Sequence, residues 1–499
     1  MNTIDYPAID WLAITPMIIL LSGALVLLVV AALTPRWPRS LYAWVTVDLT
    51  LAALVVEMIL WNRIGHEGPV AVIGDVLAID RMSVLVWIGI TVATALVALS
   101  SSEFLRREGL DGPESYAMYV LAAIGGMTLA SANEFVVLFL GLETLSIALY
   151  VLAASHRRRV ESQESGLKYF VLGGFASAFL LYGIALLYGA TGTTNLSVMG
   201  QFLESQVFID GDDAMLLAGL ALLLVGLGFK VAAVPFHFWT PDVYQGAPTP
   251  TTAFMASVGK FAAFATMLRV LLVALPSRAD DWRPVIWVMA IASVVIGSIL
   301  AVVQTDVKRM LAYSSIGHAG FILIGVEAAG HSGDTDGLPS ALLYLVLYSV
   351  LVIGTFTVVS LVSRTGDGRT DLSAFRGLSK ERPALALGMT VFLFAQAGMP
   401  VTSGFVAKFG VIKAAADNQS YAVAIVAMVA SVVAAVLYLR IMISMWLSDP
   451  ESGDDGREVV AVPFTSGLVV VAAVAFTLFA GVFPGWLIDA SRDALALVR

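Results

Sequence analysis

The sequence predicts an all-α polytopic membrane protein with about 14 transmembrane helices. Its composition is the first reason: 59% of the 499 residues are hydrophobic and only 13% are charged, and the mean hydropathy is +0.88. Soluble domains average roughly 45–50% apolar and about 25% charged residues. Apolar runs long enough to cross a bilayer recur from Trp11 to Phe483, and the connections between them are too short for a folded aqueous domain.

Two of the predicted spans are too long for a single crossing, the seventh and the twelfth. Each contains a proline within apolar sequence, Pro235 and Pro400. Because proline removes a backbone donor and clashes with the preceding turn, we predict that both helices are broken near mid-membrane. The predicted spans are 11–33, 40–61, 82–102, 115–131, 133–154, 165–190, 213–246, 249–274, 285–304, 308–327, 338–362, 383–414, 421–447 and 461–483.

Interrupted helices at matching places in two halves indicate an internal repeat around an ion or substrate path. A shift of 175 residues takes Glu143 to His318 and maps spans five and six onto spans ten and eleven. A displacement by five crossings is odd, so the two five-helix repeats are inverted. We therefore predict a three-helix segment (1–110), a first repeat (111–278), a second repeat (279–447) and a C-terminal helix (448–499).

The composition also excludes several classes of site. The chain has no cysteine and five histidines, which excludes thiolate-bound iron–sulfur clusters, cysteine-zinc sites and disulfides. No G-x-G-x-x-G or G-x-x-x-x-G-K-[ST] string opens a helix, so we predict no nucleotide, cofactor or metal site in this chain. A net charge of −9 without a basic soluble face argues against nucleic acid as a partner.

Lysine and arginine in the loops predict the orientation. With the amino terminus outside, fifteen of them fall in loops predicted inside and seven outside, which follows the positive-inside rule and places both termini outside. The inside residues are Arg36, Arg39, Arg106, Arg107, Arg157, Arg158, Arg159, Lys308, Arg309, Arg364, Arg369, Arg376, Lys380, Arg382 and Arg457, and the outside ones are Arg63, Arg81, Arg278, Arg283, Lys413, Arg492 and Arg499.

Six basic residues remain within the predicted spans. Arg269 and Arg440 lie in the last two turns of their helices, so we predict that they reach the interface and are structural. Lys230 and Lys408 lie beside the two prolines, where a charge costs at least about 2.5–3.5 kcal/mol, which favours a function over an anchoring role. The other two are Lys168 and Lys260, and no role is assigned to Asp48, Glu57 and Glu327.

Glu143 is the acidic group that we predict to act on these lysines. Burial favours a neutral lysine and a nearby carboxylate favours a charged one, so a lysine between the two influences is a proton switch. Lys168 would compete for the same carboxylate, although an interfacial anchor fits its position equally well. Lys260 has small neighbours and is predicted to face a pore. We predict that His237, beside the first break, and His318 pass protons between waters.

Four strings resemble the antiporter-like subunits of respiratory complex I, the proton-translocating NADH:quinone oxidoreductase. They are 141–146 (GLETLS), 164–170 (ESGLKYF), 228–248 (GFKVAAVPFHFWTPDVYQGAP) and 308–318 (KRMLAYSSIGH). The third is the most specific, and its PDVYQGAP ending is similar to the subunit N branch of that family. A lysine in span twelve and the lack of a long C-terminal lateral helix also resemble subunit N more than subunits M and L. The resemblance covers nearly the whole chain.

The resemblance implies a subunit in the membrane arm of the bacterial enzyme, in the cytoplasmic (inner) membrane. Its neighbours would be the antiporter-like subunit M and the small membrane subunits, with flavin, iron–sulfur clusters and quinone on partner subunits. The two repeats would act as proton-uptake and proton-exit half-channels. The residues that match the family's proton-transfer groups are Glu143, Lys168, Lys230, Lys260 and Lys408.

Two other functions remain open. A subunit of an Mrp-type cation/proton antiporter would share the buried lysines and broken helices. Copurification with flavin and iron–sulfur subunits separates that function from the first. A non-transporting scaffold is disfavoured by the free energy needed to bury Glu143 and four lysines.

Overall fold

The computed structural model describes residues 9–33, 40–110, 112–205, 213–363, 367–449 and 462–498. Arg36, Arg39, Arg364, Arg457 and Arg499, which enter the orientation prediction, lie outside these residues. The helices are α1 (Trp11–Leu33), α2 (Ser40–Glu67), α3 (Arg81–Arg107), α4 (Pro113–Ser131), α5 (Phe135–Ala153), α6 (Val160–Thr191), α7 (Leu196–Ser205), α8 (Ala214–Val231), α9 (Trp239–Gly246), α10 (Thr249–Phe254), α11 (Lys260–Arg269), α12 (Ala279–Val303), α13 (Val307–Ala328), α14 (Gly337–Val362), α15 (Leu378–Glu381), α16 (Pro383–Ala397), α17 (Ser403–Asp417), α18 (Tyr421–Leu447), α19 (Phe464–Val482) and α20 (Gly485–Asp493). Strands β1 (Val70–Val72) and β2 (Leu77–Ile79) pair antiparallel between α2 and α3, with Val70 opposite Ile79.

Among the described residues, twelve helical segments are long and apolar enough to cross a membrane. Two predicted spans take another form. Span four is the 19-residue helix α4, and span twelve is divided between α16 and α17. The predicted all-helical membrane class is confirmed.

Both predicted breaks are present. Residues 232–238, which include Pro235, separate α8 from α9, and residues 398–402, which include Pro400, separate α16 from α17. Each break lies inside apolar sequence, so its backbone groups depend on protein partners rather than on lipid. The seventh and twelfth helices are therefore interrupted as the prolines predict.

Span eight is also irregular, which the sequence did not predict. π-Helical turns at Met255–Gly259 and Val270–Ala274 flank α11. Single π-helical turns inside α-helices are frequent at functional sites. Lys260 directly follows the first of them, so its side chain leaves the helix at a point where the usual α-helical spacing is interrupted.

Charged side chains collect at the two ends of the bundle. Asp10 before α1 pairs with Arg63 of α2 at 2.7 Å, and Arg81 of α3 pairs with Asp493 of α20 at 2.7 Å. We name this the terminal end. The opposite end, the basic end, holds the described loop residues that were predicted inside: Arg106, Arg107, Arg157, Arg158, Arg159, Lys308, Arg309, Arg369, Arg376, Lys380 and Arg382.

Two helix pairs pack backbone against backbone, at corresponding places in the two predicted repeats. A Cβ on Gly125 of α4 would lie 2.4 Å from the amide nitrogen of Leu145 in α5. A Cβ on Gly297 of α12 would lie 2.5 Å from the amide nitrogen of Gly317 in α13. Small residues allow this close approach in membranes, where packing rather than water drives helix association.

The prediction that Arg269 reaches the interface is wrong. Its side chain is 1% exposed and makes two hydrogen bonds to Asp80, at 2.9 and 2.8 Å. It also donates to the carbonyl of Ala130 and to the hydroxyl of Ser83. The physical reason is a buried carboxylate within reach, because a two-pronged contact satisfies the guanidinium better than a partial path to water. Arg440 instead donates to the carbonyls of Val302 and Gln304, at and just after the end of α12.

Breaking the Arg269–Asp80 pair should destabilise the subunit. Asp80→Asn keeps a residue that can cap α3 but leaves Arg269 without its countercharge. We therefore expect the free energy of unfolding to fall by about 3–5 kcal/mol. The measurement is thermal unfolding of the purified complex together with the amount of this chain in membranes. Adding Arg269→Met to Asp80→Asn should restore part of the loss, because it removes the unpaired charge.

Lys380→Met is the matched control. Lys380 pairs with Asp449 at the surface and its side chain is 59% exposed, so its removal should change stability by at most about 1 kcal/mol. Wild-type stability in the Asp80→Asn variant would show that the buried pair is dispensable.

Candidate functional site

Lys230 lies in the last turn of α8, against α5. Its Nζ donates a hydrogen bond to Oγ of Ser146 at 2.6 Å and lies 5.7 Å from the ring centroid of Tyr150. The negative end of the helix dipole and the aromatic face both stabilise a cation here. Glu143 is one turn before Ser146, and its Oε1 is buried without a hydrogen-bond partner among the described residues. Ser146 thus contacts the lysine and lies one turn after the predicted carboxylate on α5.

Lys168, which was predicted to compete for Glu143, pairs with two other carboxylates in the structure. Lys168 Nζ lies 2.7 Å from Glu164 and 2.7 Å from Asp242, and its side chain is 41% exposed. The break in span seven turns α9 so that Asp242 comes beside α6, which provides a nearer carboxylate. Asp242 also pairs with Arg309 at 2.6 Å. These groups line a polar pocket of about 460 Å³ at the basic end.

A small cavity separates Lys230 from Lys260. Ser146 and Tyr244 also line it, and stacked rings of Tyr169 and Trp239, 4.6 Å apart, form part of its wall. The volume of this cavity is about 10 Å³, close to the minimum that holds one water molecule. One water is therefore the largest solvent bridge that fits between the two lysines.

Lys260 is 2% exposed and points toward α13 and α14. Its Nζ donates to the backbone carbonyl of Ser315 and lies 5.7 Å from the ring centroid of Tyr348. The Tyr348 hydroxyl donates to Oγ of Ser315 at 2.9 Å, and its ring lies 4.9 Å from the ring of His318. These contacts link Lys260 to the surroundings of His318.

His318 lies between two tyrosine hydroxyls. Nδ1 is 2.6 Å from the hydroxyl of Tyr344, and Nε2 is 3.3 Å from that of Tyr438. The Tyr438 hydroxyl is 2.6 Å from Oγ of Ser314. A neutral imidazole has one donor and one acceptor, so exchanging the two roles moves a proton across the ring.

Lys408 belongs to α17 but reaches back across the break. Its Nζ donates to the carbonyl of Ala397, the last residue of α16, at 3.1 Å. The side chain fits because residue 398 is glycine, with φ +89°, where a Cβ would lie 3.0 Å from Cδ of Lys408. The ammonium also lies 4.9 Å from the ring centroid of Phe321, and Phe321 stacks on Tyr344 at 6.3 Å. Lys408 thus meets the His318 cluster through the Phe321 ring.

His237 lies in the first break, 5% exposed, with its ring 4.5 Å from that of Phe238. Its Nδ1 has no hydrogen-bond partner in the described parts of the chain. The structure thus places His237 in the first break, without a hydrogen bond from its Nδ1 to the described part of the chain.

The three acids without an assigned role lie in different surroundings. Glu57 is fully buried and accepts a hydrogen bond from Thr91 at 2.7 Å. Glu327 is 3.7 Å from Arg283 at the terminal end. Asp48 is exposed on α2.

Sequence reasoning missed the hydroxyl groups that connect the lysines. Tyr344 and Tyr348 are four residues apart, so they share one face of α14. The sequence shows that spacing, but tyrosines at helical spacing in apolar sequence are equally typical of residues that only pack in the core. Ser146 and Ser315 carry no comparable signal, because their role depends on which neighbour faces them.

A second group of buried charges joins α10 and α13 to the segments before α6 and after α14 at the basic end. Lys308 is fully buried and its Nζ lies 2.6 Å from the carbonyl of Ala247 and 3.4 Å from Asp367. Asp367 also accepts hydrogen bonds from Thr249, at 3.0 and 2.8 Å, and lies 3.6 Å from Arg159. Burial acts to raise the pKa of Asp367, but the charges of Lys308 and Arg159 and the hydrogen bonds hold this pKa below its ordinary value.

Known proteins are similar in sequence to this chain over its whole length. A family profile described as "NADH:quinone oxidoreductase/Mrp antiporter, TM" matches residues 132–434. The chain is 39% identical over 503 residues to NADH-quinone oxidoreductase subunit N 1 of Herpetosiphon aurantiacus, covering 100% of both chains. It is 38% identical over 493 residues to subunit N of Trichlorobacter lovleyi, covering 99% and 98%. The chain belongs to the NADH-quinone oxidoreductase subunit N family.

Solved structures agree with this family. A chain of respiratory complex I from Thermus thermophilus, with bound aureothin, has a TM-score of 0.79 and 32% identity, covering 96% of this chain and 100% of that one. A chain of the Mrp complex from Dietzia sp. DQ12-45-1b has a TM-score of 0.83 at 21% identity, covering 97% of each, which is a likeness of fold. The predicted subunit N resemblance and the prediction of a subunit of NADH:quinone oxidoreductase are confirmed.

In this subunit N family member, Asp367 should be ionised throughout the physiological range. A carboxyl group with a lowered pKa gives stability that is present above its unfolded value of about 3.9 and is lost only as the pH falls through the folded value. We therefore expect Asp367→Asn to lower the free energy of unfolding equally at pH 8 and pH 5, by about 3–5 kcal/mol, because it leaves the buried Lys308 without its countercharge.

Thermal unfolding of the purified complex at both pH values is the measurement. The exposed Asp449→Asn is the control and should have no effect at either pH. A penalty for Asp367→Asn that shrinks at pH 5 would mean that the wild-type carboxyl group is already protonated there, contrary to this prediction.

Proposed function

We propose that this subunit carries protons across the membrane along a row formed by Glu143, Lys230, Lys260, His318 and Lys408. The energy comes from electron transfer between NADH and quinone on other subunits of the complex. The observation that carries the proposal is the continuity of the row. Lys230 and Lys408 belong to the two broken helices, and Lys260 lies between them. Hydroxyl groups and a one-water cavity occupy the space from Lys230 to His318, and the ring of Phe321 separates Lys408 from the His318 cluster.

Several contacts in the row can serve two protonation states, whereas the backbone carbonyls of Ser315 and Ala397 only accept from Lys260 and Lys408. The Ser146 hydroxyl accepts from Lys230 and donates to the carbonyl of Leu142. If it releases that carbonyl, the same hydroxyl can donate to Lys230 as an amine. A water in the adjoining cavity would do the same between Lys230 and Lys260. His318 exchanges donor and acceptor between Tyr344 and Tyr438. Such groups pass a proton without leaving a bare charge in the apolar interior, which would be costly.

The route crosses from the basic end to the terminal end. The polar pocket at Lys168 and Asp242 offers water access at the basic end, so we assign uptake to residues 111–278 and place Lys168 at the mouth. Lys408 lies on α17, which runs toward the terminal end, and we assign exit to residues 279–447. His237 is proposed as an additional proton carrier at the first break. On the positive-inside rule the basic end faces the cytoplasm and both termini face outside.

The proposal includes the partners of the subunit. Iron–sulfur clusters are held by other subunits, since this chain has no cysteine for a thiolate-bound cluster. Flavin and quinone are assigned to other subunits as well. Subunit M and the small membrane subunits are its neighbours in the bacterial cytoplasmic membrane. An Mrp-type antiporter shares the fold, but the full-length relatives favour the oxidoreductase. Affinity purification of this chain should recover flavin and iron–sulfur absorbance, which an Mrp-type complex would lack.

Replacing the middle lysine is the direct test. We expect Lys260→Met to assemble and to lose most proton pumping, because methionine fills a similar volume and holds no proton. Lys230→Ala should give the same result. The measurement is proton uptake into inverted membrane vesicles driven by NADH, together with NADH:quinone turnover and the amount of assembled complex.

The control is Lys413→Met, which removes an exposed lysine at the terminal end that pairs with Asp336 and Asp417. It should leave pumping and turnover unchanged. Normal pumping in assembled Lys260→Met complex would refute the route.

The tyrosine beside His318 provides an independent test. Tyr344→Phe keeps the ring that stacks on Phe321 but removes the hydroxyl at 2.6 Å from Nδ1 of His318. We expect pumping and coupled turnover to fall several-fold without loss of assembly. The measurement is the same vesicle assay. Tyr188→Phe, which removes a hydroxyl from an exposed tyrosine on α6, is the control, and an equal effect of both variants would count against a relay through His318.

A further inference from the structure

A deep apolar groove lies apart from the proton row, between α2, α3, α14, α19 and α20. Its volume is about 490 Å³. Met58 on α2 and Trp486 on α20 are both 49% exposed at its rims, so the groove is open to the surroundings of the bundle. Its floor reaches Phe261 of α11, which is fully buried. The groove therefore runs from the bundle surface into the core.

The lining of the groove excludes water as its occupant. Among the described residues that line it, Ser349 is the one with a hydroxyl, and that hydroxyl donates to the carbonyl of Leu345 at 2.8 Å. A space lined by apolar side chains stays dry, because water finds no hydrogen-bond partners there. Leaving it empty would forfeit the dispersion contacts of its walls. The occupant must be apolar.

The dimensions of the groove fit one hydrocarbon chain. Along α3 it extends from Leu85 to Leu96, about 16 Å at 1.5 Å per residue. That is half of a hydrocarbon core about 30 Å thick, the depth of one leaflet.

The terminal end of the groove has the features of a headgroup site. Trp61 and Trp486 lie there, and tryptophan is enriched where membranes meet water. The guanidinium carbon of Arg81 lies 5.0 Å from the ring centroid of Trp61. Its Nη1 pairs with Asp493 at 2.7 Å, while its Nε has no hydrogen-bond partner among the described residues, so the guanidinium beside the mouth keeps a donor for a further acceptor. A phosphate group at that level would meet both the indole and the guanidinium.

We propose that this groove binds one acyl chain of a membrane phospholipid, with the phosphate at Arg81 and Trp61 and the chain running inward to Leu96. The bound chain completes the packing of α3 against α14 and α19. Since Phe261 directly follows Lys260, the lipid also fills the space behind the helix that carries the central lysine.

Site-specific photocrosslinking in the intact complex tests this proposal. Val350, on the wall of the groove, is replaced by p-benzoylphenylalanine, and the complex is purified in detergent and irradiated. Mass spectrometry of the separated chain should show the added mass of a diacyl phospholipid. The same replacement at Val432, which is 72% exposed on α18, is the control for loosely held lipid and should give several-fold less adduct.

Filling the groove should abolish the adduct. Ala472→Trp places a large ring in the lining, and Ala490→Phe is the second variant should the first fail to assemble. A crosslink from position 350 to another polypeptide would overturn the proposal in favour of a protein partner. Equal lipid adduct at 350 and 432, or none at 350 in assembled complex, would overturn it as well.

Discussion

The structure depends on satisfying the backbone at two places where a helix is broken inside the membrane. Lipid offers no hydrogen bonds, so side chains of the bundle must supply them. At the first break the indole of Trp239 donates to the carbonyl of Phe229 at 2.9 Å, and Ser293 Oγ accepts from the amide of Val234 at 2.9 Å. At the second break Lys408 donates to the carbonyl of Ala397.

This constraint explains why functional candidates collect at the breaks. The carboxyl end of a half-helix presents unpaired carbonyls and a negative dipole, which makes it one of the few places in apolar surroundings where an ammonium is stabilised. Lys230 occupies the end of α8 directly, whereas Lys408 reaches the end of α16 from the next half-helix. In the proposed route both lysines therefore have two roles, since they stabilise a broken helix and carry a proton.

The sequence predicted those features that depend on composition and on single residues. A proline within apolar sequence was sufficient to predict each helix break. A charged residue within a predicted span was sufficient to identify the lysines as functional candidates. Features that depend on which helix faces which could not be predicted. Asp80 lies far from Arg269 in the chain, so their pairing could not be predicted. The pairing of Lys168 with Asp242 depends on the direction of α9 after the first break, which the sequence does not specify. No proline or other local residue pattern predicts the π-helical turn before Lys260.

The two halves of the proposed route differ in the charged side chains that they contain, and this difference favours one direction of proton movement. Glu143 places a carboxylate near Lys230, but its counterpart in the second repeat is His318, which is neutral or positive and never negative. A cation in the second half is therefore stabilised by the carbonyl of Ala397 and the face of Phe321 rather than by an opposite charge. Dipoles and ring faces stabilise a cation less than a carboxylate does at the same distance. On the proposed route a proton thus moves from a half that attracts it strongly to one that holds it weakly, as release at the terminal end requires.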